Sequence, residues 1–364
     1  MRVTPVRTGV AALALLATVA CTGEPTDDDS GNAGAPATAT TSPTATTTTA
    51  PSTDAAPSTT PTASPTATPA PLPTAESPVS LPALMAKEYD GRALRLRRVL
   101  ARTDAYVRHA VTYRSGDLRI SGILNLPRGD GPFPVAILAH GYIDPAIYTT
   151  GRGMMREQDY LAREGFAVLH VDYRNHAGSD DDPTAERDLR LGYTEDVINA
   201  VLAVRGSDDP RLDGDRVGLV GRSMGGGVVQ NVLVTQPGLV DAAVVFASVS
   251  SDTVDNYERW IAADRPEVAA DIVRAHGSPE ENPDFWEQAS PRTYVERATE
   301  PLLILHGTVD DTCPPRWARR TAAAFERAGK DVELVWYEGE GHAFGPQWPA
   351  SMRRTVRFLQ AQMS

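Results

Sequence analysis

Residues 81–364 predict an α/β fold with a mostly parallel central sheet, helices on both faces and a short helical cap insertion at about 250–298. Short β-rich apolar runs alternate with longer stretches of helical spacing, the order that a parallel sheet with crossover helices requires. No period of about 20–50 residues repeats, which excludes a propeller or a solenoid. Only two cysteines occur, Cys21 and Cys313, so neither a disulfide scaffold nor a four-cysteine zinc site is available and packing must hold the fold.

Taken in order, a short helical stretch is expected at Leu81–Val99, before the strands begin. The strand runs are Arg119–Leu126, Val135–Ala139, Ala167–Val171, Val217–Val220, Ala242–Ala247, Leu302–Leu305 and Val332–Tyr337. Helical spacing covers Asp188–Val204, Ser223–Val234, Arg316–Ala328 and Pro349–Gln362. In the insertion, Trp260, Phe285 and Trp286 either line a pocket for an acyl or aromatic group or pack the insertion itself.

The first eighty residues have another composition. Arg2 and Arg7 precede an apolar stretch, Val10–Ala20, and then Cys21, the pattern of a secretory signal over 1–20. That run is roughly half of the about 20 apolar residues that a spanning helix needs, so a permanent transmembrane helix is not expected. The segment Leu16-Ala17-Thr18-Val19-Ala20-Cys21 resembles a bacterial lipobox, with Thr18 where lipoboxes carry Leu. The resemblance implies a diacylglyceryl group on Cys21, and a chain held at the outer face of the bacterial cytoplasmic membrane or else secreted. Ser, Thr, Ala and Pro make up 43 of the 50 residues 31–80, too few large apolar side chains to build a core. Residues 21–80 are therefore read as a tether, which at about 60 residues spans roughly 45 Å as a flexible coil.

The chain carries 35 basic and 47 acidic residues, a net charge of −12. From Lys87 onward the balance is milder, 33 basic against 41 acidic. Neither nucleic acid nor an anionic lipid surface is expected as a partner, since both need clustered positive charge. Contact with a membrane is expected through the lipid anchor alone.

The chemistry begins at Gly221-Arg222-Ser223-Met224-Gly225, a Gly-x-Ser-x-Gly sequence between an apolar strand and a helix. A serine nucleophile on such an elbow needs a strained turn, and Gly221 and Gly225 flank it because side chains there would collide. The helix that follows aims its first amides at the same spot, where negative charge develops. A hydroxyl also needs a base, and the base a carboxylate that fixes its tautomer. In the α/β-hydrolase order of Ser, acid, His, only His342 lies beyond the late strand Leu302–Leu305. The loop after that strand offers two acids, Asp310 and Asp311. His306 at the strand end is read as structural, and His109, His170, His176 and His276 as surface or satisfied core residues.

The run Pro301-Leu302-Leu303-Ile304-Leu305-His306-Gly307-Thr308-Val309-Asp310-Asp311-Thr312-Cys313-Pro314 resembles the prolyl oligopeptidase family, whose pattern His-Gly-x-x-Asp-x-x-Val-Pro uses the first Asp. The resemblance implies Asp310 as the acid, and with it an α/β-hydrolase fold over about 110–364. Gly277–Pro283 and Ala289-Ser290-Pro291 also look like the segment before the acid loop in that family. Two departures stand out. Where the family commonly has His-Gly-Gly-Pro, this chain has His140-Gly141-Tyr142-Ile143-Asp144-Pro145, closer to acetyl-ester hydrolases. By position, the N–H of Tyr142 joins that of Met224 as the oxyanion hole. Cys313 replaces the family's Val and is given no catalytic role. The other departure is that the propeller of peptide-cleaving relatives has no counterpart ahead of residue 110.

The expectation is a serine hydrolase acting on a small-molecule ester or a short peptide, with neither metal nor organic cofactor. A carboxyl or acetyl esterase, an acyltransferase on cell-envelope acceptors and a catalytically inactive ligand-binding fold are the alternatives. Peptidase and esterase share every group named.

Overall fold

The computed structural model describes residues 71–364; the expected signal sequence, Cys21 and most of the expected tether lie outside them. The last residues assigned to the tether already lie on the domain. Val79 packs beside Leu81 and Leu84, and buried Ser80 caps helix α1 (Leu81–Ala86) by accepting from the Ala83 N–H at 3.2 Å.

Nine strands form one sheet: β1 (Arg92–Arg102), β2 (Tyr106–Ser115), β3 (Leu118–Pro127), β4 (Phe133–Ala139), β5 (Ala167–Val171), β6 (Leu212–Arg222), β7 (Ala242–Phe246), β8 (Leu302–Gly307) and β9 (Val332–Tyr337). Their spatial order is β1-β2-β3-β5-β4-β6-β7-β8-β9. From β5 to β9 every pairing is parallel, while β1, β2 and β3 add antiparallel strands at one edge. The sheet is thus mostly parallel, as expected.

The remaining helices are α2 (Met155–Arg163), α3 (Gly192–Arg205), α4 (Met224–Thr235), α5 (Thr253–Asn256), α6 (Pro266–His276), α7 (Pro283–Gln288), α8 (Pro315–Arg327) and α9 (Trp348–Gln362). Alternation along β4 distributes the core. Val135, Ile137 and Ala139 join the apolar side chains of α3, α4 and α8 on one face; Ala136 and Leu138 join those of α2 and α9 on the other. A strand covered on both faces has no polar side, which is why β4 reads as an apolar run and β5 as one interrupted only by His170. Among the described residues no helix is long and apolar enough to cross a membrane.

One expectation fails at the start of the domain. The helix predicted over Leu81–Val99 stops at Ala86, and Arg92–Arg102 is strand β1. Leu94 and Leu96 alternate with Arg95 and Arg97 at period two, and Leu94 is buried where β1 lies against β2. The predicted helix at Asp188 also begins later, at Gly192, because Leu189 and Arg190 both adopt positive φ, 54° and 57°. Between β7 and β8, α5, a π-helical turn (Tyr257–Ala262), α6, α7 and a 3-10 segment (Pro291–Arg297) build the cap insertion.

Candidate active site

Strand β6 runs straight into α4, and Ser223 sits at the corner with φ 55° and ψ −123°. For a residue with a Cβ this conformation costs roughly 1–3 kcal/mol, and it survives only where surrounding packing enforces it. The enforcement is visible. A Cβ on Gly225 would lie 1.9 Å from the Ala139 carbonyl oxygen, and one on Gly221 would lie 2.4 Å from the Gly225 oxygen. Two glycines therefore let the elbow press against the end of β4. The Ser223 N–H is tied to the Phe246 carbonyl of β7 at 3.0 Å.

Across the cavity, His342 Nδ1 lies 2.9 Å from Asp310 Oδ2 and 3.2 Å from Oδ1. The Asp310 side chain is buried, and its Oδ1 also accepts from the N–H groups of Thr312 (3.0 Å) and Cys313 (2.8 Å). These bonds fix the carboxylate on the loop after β8 and hold the imidazole with Nδ1 toward it, leaving Nε2 as the free ring nitrogen. Asp311 is exposed; its carboxylate accepts from the Thr312 hydroxyl at 3.4 Å and makes no hydrogen bond to His342. Ser223 and His342 line the same cavity but are not hydrogen-bonded to each other in this state; such contacts commonly tighten only with substrate bound.

The chain at Gly141 lies directly on Ser223: a Cβ there would be 3.0 Å from Ser223 Cβ and 3.6 Å from its Oγ. This brings the Tyr142 amide alongside Ser223. Met224 is the first residue of α4, so its N–H has no acceptor inside the helix.

The cavity holds about 520 Å³ and is walled by Met224, Val228, Val249, Trp260 and Ile261. The cap aromatics divide their roles. Trp260 lines the cavity, whereas Phe285 and Trp286 are buried within the insertion, packed with Tyr257 and Ile272. Cys313 is fully buried, and desolvation pushes its thiol well above the ordinary range, which keeps it protonated.

The other histidines are less uniform than expected. His306 is structural: buried, with Nε2 2.8 Å from the Cys313 carbonyl, and its pKa lowered by burial. His140, His170 and His176 form a buried cluster with Tyr148 and Tyr173, in which His170 and Tyr148 stack on His140 and His176 meets it edge-on. Within it neither ring nitrogen of His170 has a hydrogen-bond partner, so that residue is not a satisfied core histidine. It is packed as an aromatic plane 5.3 Å from His140. Among the described residues no three His, Cys, Asp or Glu side chains are grouped to hold a metal ion.

Sequence reading missed two sets of residues. Arg222, inside the motif itself, reaches the His342 carbonyl and Glu157, and Arg190, Glu186 and Arg265 cluster at the cavity wall. The i, i+4 spacing of Glu186 and Arg190 is a local signal; nothing local marks the rest, because Arg222 and Arg265 reach partners far away in sequence.

A nine-stranded, mostly parallel sheet with a serine on a strained strand-to-helix turn defines an α/β-hydrolase-type protein. Residues 153–364 match the prolyl oligopeptidase family, and the chain belongs to that family. It is 28% identical over 241 residues to the uncharacterized peptidase YuxL of Bacillus subtilis, covering 64% of this chain and 35% of that protein. It is 29% identical over 257 residues to human acyl-coenzyme A thioesterase 1, covering 66% of this chain and 56% of the relative. The chain thus spans only part of these relatives. Among solved structures, acetyl xylan esterase from Paenibacillus sp. R4 superposes with a TM-score of 0.57 at 20% identity, covering 78% of this chain and 92% of that one. The acylaminoacyl peptidase of Pyrococcus horikoshii gives 0.53 at 19%, covering 72% and 42%.

Proposed function

We propose that this prolyl oligopeptidase-family hydrolase is a serine hydrolase that cleaves an ester or a peptide or amide bond through an acyl-enzyme on Ser223. The observation that carries the reading is the Asp310–His342 pair, 2.9 Å apart, in the same cavity as a strained Ser223. In this mechanism His342 Nδ1–H donates to Asp310, so Nε2 is unprotonated and takes the Ser223 proton as Oγ attacks the substrate carbonyl. The N–H groups of Tyr142 and Met224 receive the oxyanion. His342 then returns the proton to the leaving oxygen or nitrogen, and a water activated in the same way releases the acid.

The apolar wall of Val228, Val249, Trp260 and Ile261 supports an acyl group larger than acetyl. A fluorophosphonate probe tests the mechanism: it labels Ser223, and Ser223→Ala abolishes the labelling and lowers kcat by roughly 10⁴ or more. Mapping of the probe to another serine overturns the reading. Nitrophenyl esters run beside aminoacyl and prolyl amides then separate esterase from peptidase.

The reading includes export and lipidation at Cys21, supported by the basic start, the apolar run and the Thr- and Pro-rich stretch that follows. Two acyl chains hold stably where one holds reversibly. In a host that processes lipoproteins, wild type partitions into detergent and Cys21→Ser does not, while both keep hydrolase activity. Wild type found wholly soluble, with no mass added at Cys21, replaces anchoring with plain secretion.

A further inference from the structure

One wall of the catalytic cavity is not apolar. Glu186, Arg190 and Arg265 line it beside Tyr142 and Met224, the two residues assigned above to the oxyanion hole. Arg190 holds the Glu186 carboxylate through Nε (3.0 and 3.1 Å) and Nη2 (2.8 Å), and Arg265 Nη1 reaches the same carboxylate at 2.9 Å. Two guanidinium groups thus share one carboxylate, and all three side chains are at least two-thirds shielded from solvent. The triad retains one positive charge. Asp144 and Asp264 stand nearby, but both are exposed, where water screens them, and Asp144 already accepts from the Ala146 N–H.

The donors of Arg190 are unevenly used. With Nε and Nη2 committed to Glu186, Nη1 meets only the thioether sulfur of Met224, at 3.7 Å, a weak acceptor. Its guanidinium also lies over the Tyr142 ring, 4.6 Å from the centroid, with Arg265 over the same ring at 5.6 Å. The backbone is strained to keep it there, since Leu189 and Arg190 are consecutive non-glycine residues in the left-handed region. A charged donor pair aimed at the oxyanion wall, held by a strained turn, is suited to an incoming anionic oxygen.

We propose that Arg190 and Arg265 form an anion subsite of this cavity and that the substrate carries a carboxylate on its acyl portion. The proposal rests on the hydrolase reading above. The acyl portion is specified because Arg190 touches both Tyr142 and Met224, toward which the acyl carbonyl oxygen points. The carboxylate takes the Nη1 donors of Arg190 and the donors of Arg265 that Glu186 leaves free, and the acyl chain lies between it and Ser223.

The test uses two nitrophenyl esters of equal chain length, 4-nitrophenyl hexanoate and mono-4-nitrophenyl adipate, on the full chain. Wild type is expected to favour the adipate in kcat/KM by roughly tenfold or more, as a charged hydrogen bond gained in the site implies. In Arg190→Gln the adipate-to-hexanoate ratio falls toward one, chiefly through KM. Arg265→Gln lowers it as well and keeps the test available if the first variant does not fold. A wild-type ratio at or below one, with hexanoate cleaved, overturns the anion subsite and leaves the hydrolase standing. A preference for adipate that survives in both variants overturns the assignment to these arginines. If neither ester is cleaved and the fluorophosphonate does not label Ser223, the hydrolase reading fails first.

Discussion

Arg222 Nη2 donates to the backbone carbonyl of His342 at 2.7 Å, so the residue immediately before the elbow serine holds the loop that carries the histidine. The same guanidinium reaches Glu157 at 3.1 Å, and Glu157 in turn accepts from Trp348 Nε1 at 2.8 Å. Arg156 adds a second grip on this loop, donating to the Ala343 carbonyl at 2.7 Å. The geometry of the candidate site is therefore a property of β6, α2 and α9 together.

Replacing Arg222 by Met removes the tie and leaves the Glu157 carboxylate buried without its ion-pair partner. A loss of about 3–5 kcal/mol in stability is expected, because an unpaired buried charge is costlier than the pair itself. Among molecules that remain folded, kcat falls more than KM rises, since His342 is displaced while the cavity wall is not. Denaturant melts and steady-state kinetics on the same samples separate the two effects. An unchanged kcat shows that the His342 loop holds itself.

The acid loop makes a sharper contrast. Asp310→Asn removes the carboxylate that fixes the His342 tautomer and is expected to lower kcat by roughly 10⁴. Asp311→Asn, at an exposed neighbour that does not touch the ring, changes kcat little. If the second variant is the inactive one, the acid has been assigned one residue too early.

At Gly225 the expectation is structural. A methyl group there meets the Ala139 carbonyl at 1.9 Å, and neither backbone has room to move because β4 is buried on both faces. Gly225→Ala should cost about 1–3 kcal/mol or more and abolish activity, whereas Gly238→Ala, which meets nothing within 4 Å and is strained only by its φ of 79°, should cost about 1 kcal/mol and keep activity. Thermal melts and probe labelling of both variants check this.

Acid sensitivity follows from the histidine cluster behind the Tyr142 loop. Burial lowers both His140 and His170 from 6.5 to about 3. Below pH 6.5 the unfolded chain binds protons that the folded chain does not, so stability is full above that value and is lost as pH falls toward about 3. Each residue contributes a slope of about 1.4 kcal/mol per pH unit in that window. His170→Leu should flatten the dependence by one such increment, measured by denaturant melts at several pH values between 4 and 7. An unaltered slope places the acid-labile groups elsewhere.

Much of this was legible along the chain. Unbroken apolar runs such as Val135–Ala139, too short for a helix, read as strands covered on both faces, and Gly221-Arg222-Ser223-Met224-Gly225 between a strand and a helix is a local pattern with a steric cause. Strand β1 was misread because the alternation of Leu94 and Leu96 is short, and its pairing with β2 outweighs any helical preference of the residues before it. Along the chain only a family resemblance favours Asp310 over Asp311; in space it is the Asp310 carboxylate that lies against His342. Arg222 and Arg190 could not have been found that way. Apart from Glu186, four residues before Arg190, their partners stand on separate elements: Glu157 on α2 and the His342 loop for one, Met224 on α4 and the Tyr142 loop for the other. Periodicity and turn chemistry act over a few residues and leave their mark in order along the chain, whereas a guanidinium selects its acceptors by distance and burial after the sheet has brought those loops together.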